Sequence, residues 1–221
     1  MLILTPEEQR AIEMAAIQMG YEEETLMEES GKGIAEATKE FLSFHKLPPV
    51  VGLVVGKGKN GGDAFTAGSY LLSQGIQVQA LQAEPLEKSS SLCQKQAHRF
   101  LQLGGTLVTE FSSLTHASLL LDGLFGTGFR GALKPPYRDL ISTANKSGLP
   151  ILALDIPSGL NGETGQVESI AIQAVATLCI GFPKTGFFFE RGWEKVGCVK
   201  FIPLQLPPSL YEGFPGQLRL I

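Results

Sequence analysis

Three turns in this chain each carry an acidic or amide side chain among glycines, directly after a short apolar segment. They have the sequences GKGKNGGD at residues 56–63, DGLFGTG at 122–128 and DIPSG at 155–159. Apolar segments of this kind predict buried strands, and the carboxyl ends of parallel strands meet at one edge of a sheet, where ligands bind. The three turns together therefore predict one ligand site.

Asp122 and Asp155 are the candidate acid–base or ion-binding groups of these turns. Each follows three or four apolar residues, so each carboxylate either caps its own loop or binds a metal or transfers a proton. Ser158 lies three residues after Asp155, beside Pro157. Because no G-x-S-x-G turn surrounds Ser158, we interpret it as an oxygen ligand or hydrogen-bond donor and not as a nucleophile.

Two glycine-rich loops are candidate anion sites. Residues 56–63 lack the Ser or Thr that follows the lysine of a Walker A loop, and they also lack the dinucleotide fingerprint. Their backbone N–H groups can still bind phosphate at a helix start, although a plain strand-to-helix turn is the alternative. Residues 126–131 are a second such loop, in which Arg130 is a possible phosphate partner. The missing fingerprint argues against an ordinary NAD-dependent dehydrogenase.

The elements that must position these loops alternate between strand and helix. Such alternation predicts an α/β fold with a parallel sheet covered on both faces. The predicted strands are 50–55, 76–81, 106–108, 118–121, 150–154, 174–180 and 196–202. The predicted helices of this part are one from about residue 61, one at 88–103 and one at 137–147.

Two helices are predicted ahead of the first of these strands. Thr5 is the expected N-cap of the first, which extends to about Met19 and stops at Gly20. The second is acidic. We interpret residues 1–221 as a single domain, with N-terminal helices at 1–49 and an α/β core at 50–221. The proline-rich tail from residue 203 is expected to be irregular.

Charge and cysteine content exclude several classes of protein. The formal net charge of −4 argues against a nucleic-acid binder. Residues 1–49 carry a net charge of −6 and the remainder +2, which suits a phosphate-bearing ligand in the core. The three cysteines form no C-x-x-C pair, so we expect free thiols and a cytoplasmic protein. Neither a membrane span nor a signal peptide is predicted.

The combination of motifs resembles the NAD(P)H-hydrate epimerase family, also called the YjeF N-terminal domain. The resemblance lies in five segments that occur in the family's order. They are LMEESG (26–31), GKGKNGGD (56–63), DGLFGTG (122–128), DIPSGL with a trailing TG (155–165), and GFPKTG (181–186).

This resemblance implies a Rossmann-like three-layer αβα sandwich that forms a homodimer through its N-terminal helices. It implies epimerisation of the R form of C6-hydrated NADH or NADPH (NADHX or NADPHX) to the S form, as part of nicotinamide nucleotide repair. It also implies a functional link to a separate dehydratase that acts on the S form. A catalytically weak or inactive nucleotide-binding or protein-binding module on the same fold is the alternative.

The resemblance also assigns roles to residues by position. Asn60, Asp122 and Ser158 would bind one potassium ion per subunit, and Asp155 would be the general acid/base. The implied nucleotide contacts are Lys59, Asn60, Gly61, Gly62, Asp63, Gly126, Thr127, Gly128, Phe129, Arg130, Gly131, Ala132 and Asp155.

The chain departs from the family pattern within the first loop. Lys59 stands where the family has its first asparagine, Lys57 where proline is usual, and Ala64 where glycine is usual. Our hypothesis is that the Lys59 ammonium either binds the substrate diphosphate or competes with potassium.

Overall fold

A seven-stranded sheet forms the centre of the protein. The computed structural model describes residues 2–114, 116–212 and 218–219. Every neighbouring pair of strands in the sheet is parallel, and the strand order is β4-β3-β2-β5-β6-β7-β8. The strands are β2 (Val50–Val55), β3 (Gln77–Gln82), β4 (Thr106–Val108), β5 (Leu119–Gly123), β6 (Ile151–Leu154), β7 (Ala176–Ile180) and β8 (Cys198–Ile202). The predicted parallel sheet is confirmed.

Helices cover both faces of this sheet. They are α1 (Pro6–Gln18), α2 (Glu23–Phe44), α3 (Lys59–Ser73), α4 (Ser91–Gln102), α5 (Tyr137–Lys146) and α6 (Gly192–Val196). Leu53 of β2 packs in one core with Phe65 of α3 and Phe100 of α4. The next residue, Val54, packs in a second core with Ile141 of α5. Because successive strand residues point to opposite faces, the two cores give the three-layer α/β architecture that was predicted.

The strand order reverses between β2 and β5. From β2 the chain adds β3 and β4 on one side, then crosses back and adds β5 to β8 on the other. Ligands of open parallel sheets bind where the order reverses, in the crevice at the carboxyl ends of the strands. The loops after β2 and β5 lie on the two sides of this crevice.

The N-terminal helices follow the prediction closely. Thr5 caps α1 in a capping box with Glu8, and Gly20 has a φ of +97° just beyond the helix end. The long helix α2 packs against α3. A methyl group on Gly31 of α2 would overlap with the Thr66 side chain of α3, so glycine permits this close approach. No helix in the described residues combines the length and the apolar character that crossing a membrane requires.

Several boundaries differ from those predicted. Helix α3 begins at Lys59 and not at residue 61, since the extended backbone of Gly58 forms the N-cap. Helix α4 begins at Ser91, because the Ser90 side chain accepts a hydrogen bond from the Cys93 N–H and caps it there. Residues 86–88 form a separate 3₁₀ turn.

The short α6 and a two-stranded ribbon of β1 (Leu2–Ile3) and β9 (Leu218–Arg219) were not predicted. The tail from residue 203 is therefore not wholly irregular: it also contains a 3₁₀ turn at Pro208–Leu210. Residues 213–217, 220 and 221 of the predicted tail lie outside the described residues.

Candidate functional site

Asp122 occupies the carboxyl end of β5, inside the strand and not in the loop after it. Its side chain is 1% exposed. Asp122 Oδ1 accepts hydrogen bonds from Ser158 Oγ at 2.6 Å and from the Leu124 N–H at 3.3 Å, and Oδ2 accepts one from the Ser158 N–H at 2.8 Å. Burial is the main reason that the pKa of Asp122 is raised to about 6. The carboxyl group is thus held by neutral donors.

Asn60 lies on the opposite side of the crevice, in the first turn of α3. Its Nδ2 donates to Phe125 O at 2.8 Å and to Leu154 O at 3.2 Å, so it bridges the loops after β5 and β6. Phe125 O also lies 3.4 Å from Ser158 Oγ, whose oxygen accepts the Phe125 N–H at 2.9 Å. The structure therefore brings together Asn60, Asp122 and Ser158, the three residues predicted to bind an ion.

The donor set of this cluster suits a hard monovalent cation. It offers one carboxylate, one hydroxyl oxygen, the Phe125 and Leu154 carbonyls, and the Asn60 amide oxygen once that amide turns by half a rotation. Among the described residues, no basic side chain lies within ion-pair distance of Asp122. The same part of the chain holds no group of three or more His, Cys, Asp or Glu that could take up a metal. Carbonyl and hydroxyl oxygens around a single carboxylate fit potassium.

Asp155 is the first residue after β6, and it has an unusual backbone conformation. Its φ is +62°, and the Ile156 N–H donates to Leu154 O at 2.7 Å across a tight turn centred on Asp155. Few residues besides glycine adopt a positive φ, although Asp and Asn are the most tolerant of those that do. The side chain is 11% exposed. A methyl group on Gly126 would lie 3.6 Å from Asp155 Oδ2, so this oxygen faces the glycine loop after β5.

Lys184 is the cationic partner of Asp155. The Lys184 side chain is fully buried, and its Nζ donates to Asp155 Oδ1 and to Ile180 O at 2.9 Å. Burial by itself would lower the pKa of Lys184, but the charge of the adjacent Asp155 raises that pKa above its ordinary value. The ammonium group is therefore charged at neutral pH.

Asp63 is a third buried carboxyl group at the crevice. It forms a hydrogen bond with Ser30 Oγ of α2, and Ser30 Oγ lies 3.0 Å from Met27 O. Burial is the main reason that the pKa of Asp63 is raised to about 7; the negative charges of Asp155 and Glu13 also raise it, whereas the Ser30 hydrogen bond lowers it. A protonated Asp63 would donate to Ser30 while Ser30 donates to Met27, which satisfies every group in this chain of hydrogen bonds.

The first glycine loop ends earlier than the sequence predicted. Residues 61–63 do not continue the loop, because the helical hydrogen bonding of α3 already begins with the Gly62 N–H donating to Gly58 O at 3.2 Å. The N–H groups of Lys59, Asn60 and Gly61 therefore form the open start of a helix, which is a favourable place for an anion.

Residues 126–132 form a loop without helix or strand. Arg130 Nη1 donates to Thr127 O at 2.9 Å and to Phe129 O at 2.8 Å, and Nη2 lies 3.7 Å from Glu163 Oε2. Within the part of the chain that the structure describes, the N–H groups of Thr127 and Gly128 have no hydrogen-bond partner. The loop is thus braced by its own arginine while these two donors stay available.

The two lysines that depart from the family pattern pair with glutamates. Lys59 Nζ pairs with Glu23 at the start of α2, and its side chain is 63% exposed. Lys57 Nζ lies 3.0 Å from Glu84 Oε1. Both versions of the Lys59 hypothesis stay predictions, as do the assigned roles of the other site residues.

Lys184 and Ser30 belong to the site by geometry, but the sequence reasoning gave neither a role. A signal existed for Lys184, because it is the one charged residue in the stretch 169–189, and a lone charge in an apolar stretch indicates a buried pair. Ser30 lies in LMEESG, one of the five segments that carry the family resemblance, but nothing in the sequence pairs it with Asp63.

The fold and this crevice define a Rossmann-like α/β protein with buried carboxyl groups at its topological switch point. The chain belongs to the family described as "YjeF-related protein N-terminus", whose match covers residues 23–186. The resemblance seen in the sequence motifs is confirmed.

Two relatives of similar length are named "NAD(P)H-hydrate epimerase". The one from Elusimicrobium minutum is 33% identical over 220 residues, covering 95% of this chain and 98% of the relative. The one from Rhodopirellula baltica is 34% identical over 201 residues, covering 86% of this chain and 78% of the relative.

A longer relative and a solved structure complete the comparison. The "Bifunctional NAD(P)H-hydrate repair enzyme Nnr" of Synechocystis is 32% identical over 189 residues, which cover 85% of this chain but only 36% of that relative. The crystal structure of the yeast protein YNL200c superimposes with a TM-score of 0.80 at 16% identity and covers 99% of this chain and 96% of the yeast chain. At this identity the yeast structure supports the fold alone.

Proposed function

We propose that this protein is an isomerase that converts the R form of C6-hydrated NADH or NADPH to the S form. The observation that carries the proposal is the Asp155 carboxylate, which is held by Lys184 and turns Oδ2 toward the glycine loop at the switch point. The names of the two relatives of similar length support the same reaction.

The substrate carbon C6 carries a hydroxyl group and is bonded to the ring nitrogen, so it is a hemiaminal carbon. Asp155 enters this step in its protonated form and gives that proton to the hydroxyl, so the C6–O bond breaks, water leaves, and the nitrogen lone pair forms a C6=N double bond. Water then adds to the opposite face of the planar C6, and the carboxylate takes one proton from it. Reactants and products balance, and a positioned carboxyl group is suited to both proton transfers.

The two loops on either side of the crevice bind the nucleotide diphosphate in this proposal. The open N–H groups at the start of α3 and those of Thr127 and Gly128 supply donors, and the helix dipole favours an anion. Lys59 is exposed enough to leave Glu23 and reach the diphosphate, which is the version of its role that we favour.

We also propose one potassium ion per subunit, held by Asn60, Asp122 and Ser158. When bound, the cation would offset the charge of Asp122 and strengthen the local attraction for the diphosphate. Potassium chloride should raise the melting temperature above that in choline chloride at equal ionic strength, because binding to the folded state alone stabilises it. Equal melting temperatures in the two salts would contradict the ion site.

The family resemblance also leads to inferences about the oligomeric state, the location and the partner enzyme of this protein. We infer a homodimer through the N-terminal helices, on which Met14, Ile17 and Met19 are large exposed apolar side chains. We infer a cytoplasmic enzyme that works with a separate NAD(P)H-hydrate dehydratase. The free thiols and the names of the bifunctional relatives support these inferences.

The direct test is the rate at which purified protein converts R-NADHX to S-NADHX, resolved by chromatography, with and without potassium. Acceleration well above the spontaneous rate supports the epimerase, and dependence on potassium supports the ion. A folded protein that gives no acceleration would contradict the proposed function and favour a binding module.

A further inference from the structure

Lys184 is a buried cation in a segment of the chain that carries no other charged residue. It is the one charged residue between Glu168 and Glu190, and its side chain is completely buried. A buried ammonium group is retained only where a partner and further acceptors compensate its lost hydration. The contacts of Lys184 therefore indicate its role in the protein.

The contacts of Lys184 give the two carboxylate oxygens of Asp155 different surroundings. Lys184 Nζ donates to Oδ1, to Ile180 O at 2.9 Å, and approaches Cys179 Sγ at 3.7 Å. Within the described residues, no other side-chain or backbone group donates a hydrogen bond to the Asp155 carboxylate. The other oxygen, Oδ2, is the one that faces Gly126 and the crevice. One cation thus fixes the direction in which the carboxylate points.

The N-terminal segment in turn holds Lys184 in place. The Leu4 N–H donates to Pro183 O at 2.9 Å, and the Thr185 N–H donates to Leu4 O at 2.9 Å, so the backbone is clamped on both sides of Lys184. Gln9 Nε2 donates at 3.2 Å to Ile180 O, the carbonyl that Lys184 also uses. These holding residues precede the stretch 23–186 that the family match covers.

We infer that Lys184 is the positioning residue of the proposed epimerase, whose ammonium group orients the Asp155 carboxylate toward C6 of the substrate. This inference rests on the proposed function. In this role Lys184 acts through Asp155 and does not itself contact the substrate. The segment from Leu4 to Gln9 fixes the position of the Lys184 backbone.

The test compares kcat and KM of three single variants with the wild type. Lys184→Met keeps the length of the side chain and removes the charge, so we expect kcat to fall about 100-fold with KM within about twofold. Lys184→Arg keeps the charge but moves the donor atoms, so kcat should fall about 10-fold with the same KM. The control Lys200→Met removes a partly exposed lysine that pairs with Glu40 near the end of α2, and both constants should stay within about twofold.

Loss of a buried charge can also unfold the protein, and a double variant separates this effect. Lys184→Met leaves Asp155 buried and unpaired, whereas Lys184→Met with Asp155→Asn leaves no buried charge, so the double variant should melt at a higher temperature than Lys184→Met. If Lys184→Met does not fold, the kcat of Lys184→Arg decides.

The outcomes distinguish this inference from the proposed function. If the wild type does not accelerate epimerisation, the function itself is wrong. If the wild type is active and both folded Lys184 variants keep its kcat, or lose activity only through KM, the positioning role is overturned and the epimerase stands.

Discussion

The three buried carboxyl groups of the crevice differ in the partners that surround them. Asp155 faces the Lys184 ammonium, Asp122 faces neutral N–H and hydroxyl donors, and Asp63 faces the hydroxyl of Ser30. Carboxyl groups in such different surroundings can take different roles at one pH. Asp155 is suited to proton transfer, Asp122 to a cation, and Asp63 to a neutral hydrogen-bonding role.

The protonation of Asp63 should be visible in the stability of the protein. Its pKa is raised from 3.8 to about 7, so between these values the folded state holds a proton that the unfolded chain has lost. The free energy of unfolding should therefore fall as pH rises from 4 to 7, by on the order of 3 kcal/mol from this group. In Asp63→Asn this part of the fall should disappear.

Urea unfolding at pH 5 and pH 8 measures this difference. The control is Asp139→Asn, which removes an exposed carboxylate on α5 and should keep the wild-type pH dependence. An identical pH dependence in Asp63→Asn and the wild type would mean that Asp63 is ionised throughout.

The positions of Asp122 and Asp155 were easier to predict from the sequence than the partners of these carboxyl groups. Asp122 and Asp155 were predictable because a carboxylate directly after an apolar strand is placed by the strand itself. Ser30 and Lys184 meet the site from elements distant in sequence, and their partners Asp63 and Asp155 lie 33 and 29 positions away. Pairings over such distances depend on the packing of helices and on the crossover, which local patterns do not specify.

At the level of elements, the crevice depends on how closely β2, α3 and the β5 loop approach one another. A methyl group on Gly56 would overlap with Leu124 O, whereas one on Gly58 would meet no atom within 4 Å. We expect Gly56→Ala to reduce the free energy of unfolding by at least about 3 kcal/mol, because the obstructing atom belongs to the backbone and cannot turn away.

Gly58→Ala is the matched control in the same loop, with an expected change within about 1 kcal/mol. Urea unfolding of both variants measures the two changes in the free energy of unfolding. Equal stabilities would contradict the close packing between the first loop and the chain after β5.

The strands of the sheet were predictable as short apolar runs between turn residues, and the long helices by their regular apolar spacing. The predicted start of α3 was two residues too late. The glycines at 61 and 62 suggested a loop, although Gly58 supplies the N-cap. The ribbon of β1 and β9 was missed because two-residue strands leave no period in the sequence and pair across almost the whole chain.

At the level of the whole molecule, charge and apolar surface are both unevenly distributed. The N-terminal 49 residues carry the acidic excess, and α1 and its end expose Met14, Ile17 and Met19 by 51%, 41% and 59%. An exposed apolar patch within an acidic region marks a surface for association. This arrangement supports the proposed contact of two copies through their N-terminal helices.

A charge placed in this patch should separate the copies. We expect Met14→Glu with Ile17→Glu to move the protein from dimer to monomer in light scattering coupled to size exclusion, because two buried glutamates would face each other across the symmetric contact. Leu103→Glu, on a 46% exposed leucine after α4, should remain dimeric. A wild type that is already monomeric would contradict the dimer.

The most direct test of Asp155 as the proton-transferring group is the rate of R-NADHX epimerisation by Asp155→Asn beside the wild type, in the presence of potassium. Asparagine keeps the size of the side chain but can neither give nor take the proton. We expect a rate at least about 100-fold lower than that of the wild type, with the variant still folded. An Asp155→Asn variant with nearly the wild-type rate would show that Asp155 is not the group that transfers the proton.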